Sequence, residues 1–175
     1  GLCAFHNVRG QEARVDSSTS GIQTGFLGIY AHNEARITHK IALRTEMGMN
    51  LGLYGGAARQ IGFDLTPVFT VEPRWYYNLD KRIAKGKKIS GNSGNFLTVQ
   101  TSFNPSWFGI SSDGRRDRVG QISITPMWGI KRNIGKHFTF ETGTGIGVGR
   151  YLKPINESKP YFGGLSLHLR FGYRF

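Results

Sequence analysis

Three side chains toward the C-terminus are of the types that acyl-transfer chemistry uses: Ser166, His168 and Glu141. A serine nucleophile needs a base in hydrogen-bond contact, and the base needs a carboxylate to orient it, in the order Ser to His to acid. Ser166 and His168 lie two apart and share one face of any strand, and Glu141 has the matching parity on the preceding extended segment. The same three residues suit interior packing, hydrogen-bonded among themselves and to Arg170. That arrangement demands no reactive geometry, so we expect no catalytic residue.

Other chemistries find less material. His6, His32, His39 and His137 show no metal-ligand spacing, so no metal and no cofactor is expected. The glycines from Gly143 to Gly149 lack the Lys-Ser/Thr ending and the strand–helix context of a phosphate loop. The single cysteine, Cys3, allows neither an internal disulfide nor a cysteine-based zinc cluster. A net charge of +12 raises nucleic acid as a partner, but much of the excess lies in two runs. These are Lys81-Arg82 with Lys85-Gly86-Lys87-Lys88, and Arg115-Arg116-Asp117-Arg118. Turn residues flank both and no nucleic-acid motif accompanies them, so solvated loops are expected and nucleic acid is not.

The elements that must position these residues are strands. From Ile41 the odd positions read Ile41, Leu43, Thr45, Met47, Met49, Leu51 and Leu53, while the even ones include Arg44 and Glu46. Phe63–Tyr77 repeats the division, with Glu72 and Arg74 on the polar parity. So do Leu97–Trp107, Ile122–Lys131, Phe138–Gly149 and Leu165–Phe175. Such alternation marks half-buried strands. The runs are longer than the 5–6 residues usual in soluble strands and fit the roughly 9–11 of a tilted membrane-crossing one. No stretch approaches the 18–20 apolar residues of a spanning helix, and a mean hydropathy of −0.32 does not exclude a barrel with a polar interior. A charge facing lipid at mid-bilayer costs about 2–4 kcal/mol. The apolar parity therefore faces outward, and Arg44, Glu46, Glu72, Arg74, Glu141, His168, Arg170 and Arg174 form a polar network in the lumen.

The expected fold is all-β, an up-and-down antiparallel transmembrane β-barrel. Seven strands are clear, the first at about Gly21–Ala31, and bacterial barrels have an even number. Eight are expected, the missing one lying in the N-terminal region, in a merged segment or outside this sequence. Connections are read at Asn33–His39, Tyr54–Gly62, Asn78–Asn95, Gly109–Arg118, Asn133–Lys136 and Leu152–Pro160, with at most a helical turn within Leu79–Lys88. Pro67, Pro73, Pro105 and Pro126 predict bulges or strand ends. The aromatics Trp75, Tyr76, Tyr77, Trp107, Trp128, Tyr151, Tyr161 and Tyr173 predict interfacial girdles. Residues 1–11, with the apolar run Leu2-Cys3-Ala4-Phe5, read as the end of a cleaved secretory signal. Residues 12–20 read as an extension and 21–175 as the barrel domain.

Several stretches resemble small, largely uncharacterised outer-membrane β-barrel proteins of Gram-negative bacteria: GIQTGFLGIYAHNEARITHKIALRTEMG, EPRWYYNLDKRIAKGKKISGNSGNF, WGIKRNIGKHFTFETGTGIGVG and LSLHLRFGYRF. The row Leu167, Leu169, Phe171, Tyr173, Phe175 resembles the signal read by the barrel-assembly machinery. The resemblance implies integration in the outer membrane, contact with its lipid and lipopolysaccharide, and a C-terminus on the periplasmic side. It transfers no catalytic residue. The expected role is structural or interactive, with a plugged lumen. Arg115, Arg116 and Arg118 are candidates to contact lipopolysaccharide phosphate, as paired arginines suit bidentate phosphate recognition. Two alternatives stand beside it, a narrow pore and a lipid A-modifying hydrolase using Ser166, His168 and Glu141. In lipid A deacylases the corresponding pair resembles His-x-Ser and opens toward lipid, whereas here the order is Ser-x-His.

Overall fold

A computed structural model describes residues 12–26, 28–56, 59–112, 119–153 and 160–175. The chain forms a closed eight-stranded antiparallel β-barrel. Its strands are β1 (Ser18–Gly25), β2 (Gly28–Arg36), β3 (Ile41–Gly56), β4 (Arg59–Trp75), β5 (Gly94–Asn104), β7 (Gln121–Ile134), β8 (Phe138–Tyr151) and β9 (Tyr161–Arg174). A two-residue strand, β6 (Ile110–Ser111), adds to β4 beyond the end of β5. Each of the eight long strands pairs with the next long strand in the chain, and β1 closes the barrel against β9. No helix among the described residues is long and apolar enough to cross a membrane.

The eighth strand comes from a merged segment. Gly21–Ala31 is not one strand but a hairpin, in which β1 and β2 pair from Ser18↔Ala35 to Gly25↔Gly28. The expected turn at Asn33–His39 is correspondingly wrong, because β2 runs on to Arg36 and the turn occupies 37–40. The expected loop at Tyr54–Gly62 also shrinks, since β3 and β4 stay paired out to Gly56↔Arg59. At the other strand ends, β5 stops at Asn104 and leaves Trp107 exposed beyond it.

Proline acts differently at each position. Pro105 follows the end of β5, and continuing the β4–β5 register would set it opposite Pro67, two residues with no N–H to donate. Pro73 and Pro126 interrupt one ladder each without changing its register, so neither makes a bulge. Side chains fill in for the lost ladder: Thr98 Oγ1 donates to the Pro73 carbonyl at 2.8 Å, and Asn104 Nδ2 to that of Pro67 at 3.1 Å.

Alternation sends the polar residues inward and apolar ones outward on most of the strands, while β1 keeps Ser18, Ser20 and Thr24 on its outward row. Among described side chains, the charges on the outward parity are Arg132 near one end of the barrel and Arg150 near the other. Arg150 sits level with Ile122, ten residues before Arg132 on β7. Ten residues rising about 3.4 Å each, tilted roughly 45°, give a band about 24 Å tall, close to the 25 Å of lipid-facing barrels. Within it Val99, Ile124, Ile146, Leu165 and Leu167 are largely exposed.

The mouth on the C-terminal side is closed by a lid. After β4 the chain forms α1 (Leu79–Ala84) and folds back through residues 85–93, while the N-terminal segment crosses beside it. Val15, Ala42, Tyr76, Leu79, Ile89 and Phe96 pack there as a buried apolar cluster. The long basic connection thus has a structural reason: its apolar residues seal the barrel and its lysines stay outside. Asp16 pins the two segments, accepting from the Gly91 N–H at 2.6 Å and donating its own N–H to Asn92 Oδ1 at 2.7 Å. Gly91 has φ +62, a left-handed backbone that glycine adopts without strain.

Candidate functional site

Directly above the lid, four cations meet four carboxylates: Arg44, Arg74, Lys131 and Arg170 against Glu34, Glu46, Glu72 and Glu141. The inward parity of β2, β3, β4, β7, β8 and β9 carries all eight. Arg44, Arg74, Lys131, Glu34, Glu72 and Glu141 are fully buried. Arg74 grips Glu141 in a two-point fork at 2.7 and 2.9 Å and reaches Glu72 at 2.7 Å. Arg44 binds Glu46 at 2.6 Å and Gln23 at 2.7 Å, and Arg170 reaches the same Glu46 oxygen at 2.6 Å. Phe96 lies flat beneath Arg74, with the guanidinium carbon 4.2 Å from the ring centre. The ring needs Gly129 opposite, where a Cβ would come within 2.3 Å of it.

Glu34 is the hub. One of its oxygens takes Lys131 Nζ at 2.7 Å and Arg44 and Arg74 at 3.2 Å each. The other accepts from the Tyr76 hydroxyl at 3.0 Å and Asn92 Nδ2 at 2.7 Å. Those two donors belong to the lid, so Glu34 joins the charged layer to the seal. Tyr76, which lies beyond the last residue of β4, was expected in an aromatic girdle and is instead fully buried in the mouth. Burial first, and the neighbouring Glu34 carboxylate second, hold its phenol protonated well above the ordinary value of 10.0.

The structure gathers Arg44, Glu46, Glu72, Arg74, Glu141 and Arg170 into this one network. His168 borders it, with Nε2 3.3 Å from Glu141 Oε1 but out of hydrogen-bond alignment. Arg174 does not join it. Its side chain sits at the C-terminal mouth, donating to the Lys136 carbonyl at 2.7 Å and lying 3.6 Å from Asp16. Sequence reasoning missed Glu34, Gln23 and Lys131 as members, and Asn92 and Tyr76 as their ties to the lid. The alternation Tyr30, His32, Glu34 was the available signal for Glu34. Leu167, Leu169, Phe171, Tyr173 and Phe175 form an exposed outward row, with Tyr173 in edge contact with Phe138 and Phe175. Arg115, Arg116 and Arg118, and the signal-like residues 1–11, lie outside the described residues.

Beyond the charged layer the lumen opens into a polar vestibule toward the far mouth. Its cavity of about 360 Å³ is lined by Tyr30, Asn50, Gln100, Gln121, Ser166 and Arg170, among others. Arg170 forms its floor, stacked 4.1 Å over the Tyr30 ring and neutralised by Glu46. Ser166 and His168 both line this space, but among the described residues no hydrogen bond joins them, so the Ser–His contact that acyl transfer requires is not made. No three His, Cys, Asp or Glu side chains group as metal ligands among the described residues. Compared with known proteins, the chain matches no family model, no curated protein and no solved structure.

Proposed function

We propose that this protein is a small integral outer-membrane β-barrel with a plugged lumen, acting through its surface and loops in a non-catalytic structural or interaction role. The observation that carries the reading is the inside-out distribution of side chains. An apolar band about 24 Å tall covers most of the barrel wall, bounded by Arg132 and Arg150, while eight balanced charges fill the interior. A water-soluble protein rarely exposes so continuous an apolar surface. Closure leaves no sheet edge along most of the wall, as a lipid environment requires. The exposed outward row Leu167, Leu169, Phe171 and Tyr173 supports the outer membrane and delivery by the barrel-assembly machinery. Membrane fractionation with a heat-modifiability gel tests the reading. The folded protein should sediment with the outer membrane and migrate anomalously until boiled; a soluble protein indifferent to heating would overturn it.

The charged layer and the lid support a barrel that passes no solute, so liposomes containing it should not swell in sugar solutions. For the loop, replacing Arg115, Arg116 and Arg118 by alanine should lower the lipopolysaccharide that co-purifies. An unchanged amount would remove that contact from the proposal.

A further inference from the structure

Among the described residues the barrel wall is incomplete on one side. β1 pairs with β9 only over Gly21–Gly25 against Arg174–Arg170, and β2 pairs with β3 only as far as Gly28↔Asn50. β9 continues to Tyr161 against β8, and β3 continues to Gly56 against β4. Above the short β1–β2 hairpin, β9 and β3 therefore face each other across the place of two missing strands. Three spacings of about 4.8 Å make that gap roughly 14 Å wide. On this stretch of β9 residues of both parities are exposed, Gly163, Gly164 and Leu165 in succession.

The vestibule opens through this gap. Its lining combines inward residues with residues from the hairpin tip and the outer wall: Phe26, Leu51, Leu167 and Leu169. Phe26 stands at the sill, 89% exposed. The opening lies at the level of the apolar band, because Leu165 and Leu167 pair across from Ile146 and Thr144 on β8. An unpaired strand edge is not tolerated against hydrocarbon unless it borders polar groups or water.

We propose that this gap is a lateral doorway through which a membrane amphiphile places its head in the vestibule while its acyl chains stay in the bilayer. The proposal rests on the membrane reading above. The head it fits is neutral and rich in hydroxyls, of the glycolipid class. The lining carries the amides of Asn50, Gln100 and Gln121 and the Ser166 hydroxyl, the Tyr30 hydroxyl donates to Asn50 Oδ1 at 2.9 Å, and the one cation at the floor is already matched by Glu46. Phe26, Leu51, Leu167 and Leu169 meet the chains.

The test uses the full chain in phosphatidylcholine vesicles with a diacyl glucolipid photoreactive near the top of one acyl chain. Phosphatidylcholine carrying the same group is the control probe. The glucolipid should label Phe26, Leu167 and Leu169 about tenfold more than Val99 and Ile124 on the opposite wall, a preference worth about 1.4 kcal/mol. Gly164→Trp places an indole on the inward row, where an added Cβ meets nothing within 4 Å, two residues from Ser166, which lines the vestibule. It should abolish the preference and leave labelling of Val99 and Ile124 unchanged. Uniform labelling of all outward faces, indifferent to Gly164→Trp, overturns the doorway while leaving the membrane reading intact. Equal concentration of both probes at the gap overturns the choice of head. Absence of labelling at Val99 and Ile124 as well as at the gap overturns the membrane reading itself.

Discussion

Replacing Glu34 by glutamine keeps the shape of the hub and removes its charge. Four buried cations would then face three carboxylates, and the new amide NH₂ would point at donors on whichever oxygen it replaced. Lys131, Arg44 and Arg74 converge on one oxygen, and Tyr76 and Asn92 on the other, so neither orientation of the amide is free of conflict. Breaking a fully buried ion pair on one side costs about 3–5 kcal/mol, a factor of roughly 10²–10³·⁵ in the folded population. At a urea dependence of about 2 kcal/mol per molar, the midpoint should fall by roughly 2 M. Tryptophan emission during urea unfolding of the reconstituted barrel would measure it, with trypsin cleavage after Lys85, Lys87 or Lys88 reporting lid release separately. Glu34→Met combined with Lys131→Met restores the balance of charge, three against three, and should recover a large part of the loss. A single-variant cost below about 1 kcal/mol would refute the reasoning, because a dry, balanced cluster does not tolerate an unmatched charge so cheaply.

Tyr76→Phe removes a hydrogen bond to a buried carboxylate and should cost about 1.5–3 kcal/mol in the same unfolding assay. Because the folded phenol titrates above 10.0, its stabilising contribution is full below that pH and declines as pH rises beyond it. The gap between the protein and Tyr76→Phe should therefore narrow above about pH 10. Gly145→Val should prevent folding, since a Cβ there would stand 2.2 Å from the Pro126 carbonyl oxygen, whereas Gly164→Ala should leave the gel shift and urea midpoint unchanged. Gly91→Ala puts a side chain on a left-handed backbone against Asn133, and should loosen the lid so that trypsin cuts faster after Lys85, Lys87 and Lys88 while the barrel still shows its heat-modifiable band.

Period-two alternation carries nearly all of the fold, because in a barrel each residue's facing is decided by parity alone. Arg44, Glu46, Glu72, Arg74, Glu141 and Arg170 were legible for that reason. Glu34 was not, because the hairpin that places it turns at Gly25–Gly28 with apolar residues where polar turn signals are the rule, so one strand was read for two. Once the turn is moved, Glu34 falls on the inward row with Tyr30 and His32. Lys131 lay on the inward parity but lacked a nearby acid in its own strand to mark it as paired; Glu141 and Glu34 reach it from elsewhere. Asn92 and Tyr76 are a different matter. Their places depend on residues 85–93 folding back into the mouth, a tertiary event with no period to announce it.

The lid also changes what the chain's basic charge means. Inside the barrel the charges cancel, so the surplus must lie outside the lumen, and the lid carries much of it. Lys81, Arg82, Lys85, Lys87 and Lys88 crowd the C-terminal mouth, with Asp80 bound to Lys40 as the acid within α1. The apolar residues interleaved with them, Leu79, Ile83 and Ile89, are the ones that seal the mouth. Each basic residue thus lies within two positions of an aliphatic one whose packing holds it at the surface. In sequence the segment resembles a solvated charged loop, but its alternation of lysine with buried aliphatic residues is that of a plug with a charged outer face. The far end has no comparable seal among the described residues, and the vestibule with its lateral gap lies there. The two ends of the barrel are built for different surroundings: one closed by packing and faced with cations, the other polar within and open toward the apolar band.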